Sequence, residues 1–152
     1  MLSRLVSLLV LACTATLWVA PAAAQSSNLD TIEGPGSGER TTLMVTPLRL
    51  TDGVSARALG VRSPSGTRWA LTLIGASRSD SLRLTLGAEA LPINDLQRPD
   101  AENVGPTHLY LSQETFLTVA EQSEVRLHIG DTTVALPAEM RTQMRQIFAD
   151  VV

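Results

Sequence analysis

Two histidines, His108 and His128, and a single cysteine, Cys13, are the residues of this 152-residue chain best suited to proton transfer or metal ligation. A protein metal centre takes three or four convergent ligands, and no H-x-H, H-E-x-x-H or cysteine cluster surrounds either histidine. Both sit at polar positions of alternating segments, where histidine is far more often an exposed polar residue than a ligand. There is no G-x-S-x-G elbow for a serine nucleophile. A hydrolase would have to gather His108 or His128 with an acid and a serine in one pocket, a matter of geometry rather than spacing. The paired acids Asp100 and Glu102 lie in a stretch read as a solvated loop. Gly34, Gly36 and Gly38 lie in a stretch read as having no strand before them, and no Lys-Ser/Thr follows them, so no phosphate-binding loop is expected. No cofactor and no metal are expected.

The arginines are more informative. All 12 basic side chains are Arg, a choice that suits bidentate anion contacts but follows more simply from GC-rich codon usage. Over residues 39–83 there are seven arginines against three acids, and over 84–152 four against ten. If Trp69 and Leu71 face Val61 and Leu59 across a hairpin, Arg62 and Arg68 lie nearly opposite on an outer face, among Ala58, Gly60 and Ala70. Like charges so placed repel unless acids or an anion intervene. That face is one candidate surface for an anionic envelope component, and Arg126 with His128, on the polar side of the last hairpin, is the other. The bland alternative is a solvated face balanced by the acidic half. Nucleic acid is an unsuitable partner: the net charge is −3 and aromatic residues make up 3% of the chain.

These residues need elements to hold them. Residues 1–24 read as a secretory signal peptide, with Arg4 before an apolar run over 5–20 and an A-x-A site at 22–24. The run is short for a membrane span and ends at Pro21, so no transmembrane span is expected in the mature chain. Cleavage after Ala24 removes Cys13, leaving no thiol and no disulfide, and moves the net charge to −4 because the leader carries Arg4 and no acid. A minority alternative takes residues 10–13 as a lipoprotein box with a lipid on Cys13. Residues 25–40 read as a flexible polar linker, and residues 41–152 as a single domain of ordinary size.

The clearest local signal is a strand-helix-hairpin-helix module over residues 107–152. Residues 107–111 form a short strand, and Ser112 is placed to cap a helix from Gln113 with Phe116, Leu117 and Ala120 on its apolar face. Val125, Leu127 and Ile129 alternate with Arg126 and His128, the period of a half-buried strand. Gly130 and Asp131 suit a type II′ turn, which sets Ile129 opposite Thr132, Leu127 opposite Val134 and Val125 opposite Leu136. Pro137 opens a helix whose Met140, Met144, Ile147, Phe148 and Val151 form one stripe, with Arg141, Gln143 and Arg145 on the solvent side.

Upstream, strands are expected over 43–50 (interrupted by Pro47), 55–62, 68–75 and 82–86, then a short apolar segment to Ile93 and a loop over 94–106. The predicted fold class is α+β: a mostly antiparallel meander of about seven or eight strands with two helices near the C-terminus. The functional expectation is an exported, non-catalytic binding or accessory protein of the bacterial cell envelope, periplasmic or secreted. A docking subunit using the C-terminal helix stripe is the alternative, and a hydrolase without a recognisable motif comes after it.

Overall fold

The computed structural model describes residues 28–34, 38–100 and 105–152. The expected leader, with Cys13 and its cleavage site, lies outside the described residues. In chain order the elements are β1 (Leu29–Glu33), β2 (Arg40–Met44), β3 (Leu48–Thr51), β4 (Val54–Ser63), β5 (Gly66–Ile74), β6 (Leu82–Leu86), β7 (Glu89–Leu91), β8 (Asp95–Gln97), β9 (Thr107–Leu111), α1 (Gln113–Glu121), β10 (Val125–Ile129), β11 (Thr132–Ala135) and α2 (Ala138–Val151). The fold is α+β, as the patterning indicates. Its strands form two antiparallel sheets: a larger one ordered β1-β2-β4-β5-β9-β8, with β3 also on β4, and a smaller one ordered β11-β10-β6-β7.

Four expectations about extent differ from the structure. There are eleven strands among the described residues, against seven or eight. The extra strands are three to five residues long, too short for a period of two to stand out. Pro47 splits the expected first strand into β2 and β3, and β8 occupies part of the expected loop over 94–106. The region read as linker also contributes structure: β1 lies inside 25–40 and pairs with β2 from Leu29↔Met44 to Glu33↔Arg40.

The last hairpin forms in the expected register, Ile129↔Thr132 and Leu127↔Val134. Gly130 has φ +57°, and among the described residues only glycines have positive φ, so Asp131 does not, which is the II′ rather than the I′ signature. Ser112 accepts a hydrogen bond from the Thr115 amide at 3.0 Å, capping α1.

The β4–β5 hairpin is offset by one residue from expectation. Pro64 and Ser65 make a two-residue loop between Ser63 and Gly66, so Gly60 faces Trp69, Ala58 faces Leu71 and Val61 faces Arg68. A one-residue slip exchanges the faces of a strand. Ala56, Ala58 and Gly60 therefore point inward, while Arg57, Leu59 and Val61 point outward. Arg62 stands opposite Thr67, on the other face from Arg68. The cause is packing: a Cβ on Gly60 would lie 3.0 Å from Ile147, 3.1 Å from Trp69 and 3.1 Å from Val151. Small inward residues on β4 let α2 lie close to the sheet.

The core fills the space between the inner face of the large sheet, the two helices and the inner face of the small sheet. Met44, Leu71, Leu73 and Leu109 from the large sheet join Leu84, Val125 and Leu127 from the small one, and Phe116, Met140, Met144 and Ile147 from the helices. Trp69 ties these layers together, its ring 4.9 Å from Phe116 on α1 and 5.2 Å from Phe148 on α2. Gln143, expected on the solvent side of α2, is buried. Its amide donates to Glu139 at 3.1 Å and accepts from Asn28 at 3.3 Å, so its polar atoms are matched where they are buried.

Candidate functional site

The residues of the first candidate surface do not form one cluster, but Arg68 proves to line a groove. β9 pairs with β5 from Thr107 up to Leu111, opposite Trp69, and the chain then turns away into α1. This leaves the start of β5 uncovered on that side. The short edge strand β8 covers β9 only as far as Asp95, opposite Tyr110. The open corner is a groove of about 760 Å³ lined by Thr67, Arg68 and Trp69 from β5, residues 94–97 from β8 and residues 110–113 at the β9–α1 junction. That is the size of a small-molecule site.

Its polar groups divide into committed and uncommitted ones. Ser112 is occupied as a helix cap, donating to the Thr115 hydroxyl and accepting from the Thr115 amide. The Tyr110 hydroxyl donates to Gln97 Oε1 at 3.2 Å, which turns the Gln97 amide nitrogen outward as a donor. The Asn94 backbone amide donates to the Tyr110 carbonyl at 2.8 Å, fixing the start of β8 against β9. Arg68 lies over the Tyr110 ring, 5.9 Å from its centroid. Among the described residues the ion pairs are Glu33–Arg40 and Arg49–Asp52, so no carboxylate engages Arg68. Trp69 also lines the groove, but it is only 2% exposed and its ring lies on the inner side of the sheet, against Phe116 and Phe148.

The other candidates lie elsewhere. Arg62 is exposed at the same end of the sheet but on the opposite face, two residues beyond Gly60 and its contacts with α2. Arg126 and His128 are on the outer face of the small sheet. Arg126 donates to the carbonyls of Ser123 and Val125, each at 3.2 Å. His128 is held between Thr85 (Nε2, 3.0 Å) and Thr133 (Nδ1, 2.9 Å), with both ring nitrogens engaged. Arg126 and His128 thus neighbour each other but do not meet Arg62 or Arg68.

His108 lies on the outer face of the large sheet, its Nδ1 2.9 Å from the Thr72 hydroxyl. Burial, with the nearby Arg57 guanidinium adding to it, pushes the His108 pKa below the ordinary 6.5. Its hydrogen-bond partner is a threonine, as are both partners of His128, so neither histidine is set up with an acid and a serine. No group of three or more potential metal ligands occurs among the described residues. None of their helices is long and apolar enough to cross a membrane.

Sequence reasoning missed Asn94, Asp95, Gln97, Tyr110 and Gln113 as site residues. Polar residues in an expected loop carry no signal that a three-residue strand will aim them into a groove. Neither the family models, the curated proteins nor the solved structures compared with the chain contain a match to it.

Proposed function

We propose that this chain is an exported, non-catalytic binding protein of the bacterial cell envelope, with the groove between β5, β8, β9 and α1 as its ligand seat. The supporting observation is the groove itself: it gathers an arginine that has no carboxylate partner among the described residues, the Tyr110 ring beneath that arginine and the exposed Gln97 side chain. Such a site recognises an anionic or strongly polar small ligand. Export, to the periplasm or beyond, rests on the leader pattern in residues 1–24. The docking alternative has less support, because Met140, Met144 and Ile147 are fully buried within the chain's own core.

Trp69 supplies the test. The only other tryptophan, Trp18, falls in the proposed leader, so the exported protein carries one indole, on a residue that lines the groove and whose ring packs directly behind it. Purified from an exporting host, the protein should begin at Gln25 by intact mass. Its tryptophan emission should change saturably on titration with polar and anionic envelope components. Arg68→Ala should remove that response, while Arg126→Ala should keep it. An identical titration in Arg68→Ala would sink the assignment of the groove.

A further inference from the structure

The groove opens onto the outer face of the large sheet, on which neither helix packs. Both helices and the inner face of the small sheet belong to one core with Ala58, Trp69, Leu71 and Leu109, all on the inner side of the large sheet. On its outer side the strand registers define two rows. One runs Leu59, Ala70, Tyr110 and Asp95; the next runs Arg57, Thr72, His108 and Gln97. Arg68 stands at the groove end of these rows, and Arg57, opposite Thr72, stands four residues further along β5. That separation is about 13 Å at the usual strand rise of ~3.3 Å per residue.

The charges on this face are arranged by position. Arg57 and Arg68 lie on or beside its central strands, and no carboxylate is within ion-pair distance of either among the described residues. The Arg57 Nε is buried and has no hydrogen-bond partner. Asp30 and Asp95 sit on the edge strands β1 and β8. Between the two arginines, Ala70 and Thr72 are fully buried, so the surface there is formed by the half-buried Tyr110 ring and the exposed Gln97 side chain. The face thus offers two positive charges with an aromatic ring and a hydrogen-bond donor between them.

We propose that the ligand is an acidic polysaccharide that enters the groove with one carboxylate on Arg68 and continues over the outer sheet face to a second carboxylate on Arg57. This deepens the groove reading and rests on it. Carboxylates match the two guanidinium forks, and sugar hydroxyls match the free amide of Gln97 and the Asp95 carboxylate. The apolar edge of a sugar ring fits the Tyr110 ring. The rings on these rows are Tyr110 and, 6.1 Å from it, His108, too short a series of stacking platforms for the bases of a nucleic acid strand.

The test is a titration of the exported protein, read by Trp69 emission and calorimetry, with uronic-acid oligosaccharides of increasing length from the monomer upward. Neutral oligosaccharides of equal length, single-stranded oligonucleotides and anionic lipid vesicles serve as comparators. Affinity for uronates should rise with length until the chain spans both arginines, and neutral sugars should bind at least about tenfold more weakly. Arg57→Gln should leave monomer binding intact and abolish the gain with length, and Arg68→Gln should remove monomer binding. Unchanged melting curves would show that both variants fold.

Equal affinity for neutral sugars, tighter binding of oligonucleotides or vesicles, or an undiminished length gain in Arg57→Gln would each overturn the proposal. An Arg68-dependent ligand with no length dependence would overturn the extended face and leave the groove reading standing. If no probe changes the emission or the amide resonances of Asn94, Gln97 and Gln113, the groove reading falls as well.

Discussion

Gly60 stands directly opposite Trp69 across β4 and β5, and the two meet the same turn of α2. The absence of a side chain on one residue makes room for the large ring of the other and for the helix above both. Gly60→Val is therefore an overpacking substitution in a layer with no slack. It should destabilise the domain by about 1–3 kcal/mol. Urea unfolding followed by tryptophan emission would measure this directly, and a milder loss is expected for Gly60→Ala. A wild-type midpoint in Gly60→Val would mean that α2 does not lie this close to the sheet.

Arg145 joins the two helices end to side. Its Nη1 donates to the carbonyl of Ala120 at 2.7 Å, in the last turn of α1, where helix carbonyls lack intrahelical partners. Arg145→Ala should cost about 1 kcal/mol and shift the unfolding midpoint accordingly. Hydrogen exchange should show faster opening at the C-terminal end of α1, with little change in the β4–β5 hairpin. Equal acceleration in both would argue that the bond is not local in its effect.

His108 predicts an acid limb in the stability profile. Burial and then Arg57 hold its pKa below 6.5, so the unfolded chain takes up a proton that the native chain does not. Stability from this group is complete at pH values above 6.5 and falls as the pH drops below it, down to the native pKa. His108→Gln should therefore lose less stability than the wild type between about pH 7 and pH 5, as read from paired thermal melts. Parallel profiles for the two proteins would remove His108 as the source.

The sequence was most legible where two independent signals agreed. For the last hairpin, the alternation of Val125, Leu127 and Ile129 and the glycine of the turn each specify the same register, and the structure has it. For β4 only one signal was present and it pointed the wrong way. Leu59 and Val61 are larger and more apolar than Ala58 and Gly60, so hydrophobicity alone places them inside. The demand for small residues comes from α2, nearly ninety residues later in the chain, and no local pattern carries it.

The site was legible only in part. Arg68 stood out as a basic residue beside an apolar strand pattern, but its groove depends on β9 leaving β5 at Leu111 and on β8 being three residues long. Both are matters of where pairing stops, which sequence periodicity reports poorly. Arg62 looked equivalent to Arg68 and is not, because the register slip sends the two to opposite faces.

The two sheets are also threaded through one another in time. After β5 the chain leaves the large sheet to lay down β6 and β7 in the small one, returns for β8 and β9, and leaves again through α1 for β10 and β11. β5 and β9, though adjacent in space, must find each other around a long excursion that already contains half of the second sheet. The β5–β9 pair closes around β6 and β7 of the small sheet, and the β6–β10 pair closes around β8 and β9 of the large one, so each sheet's longest-range pairing encloses strands of the other. Closure of such distant pairs places folding on the slow side for a domain of this size, in roughly milliseconds to seconds.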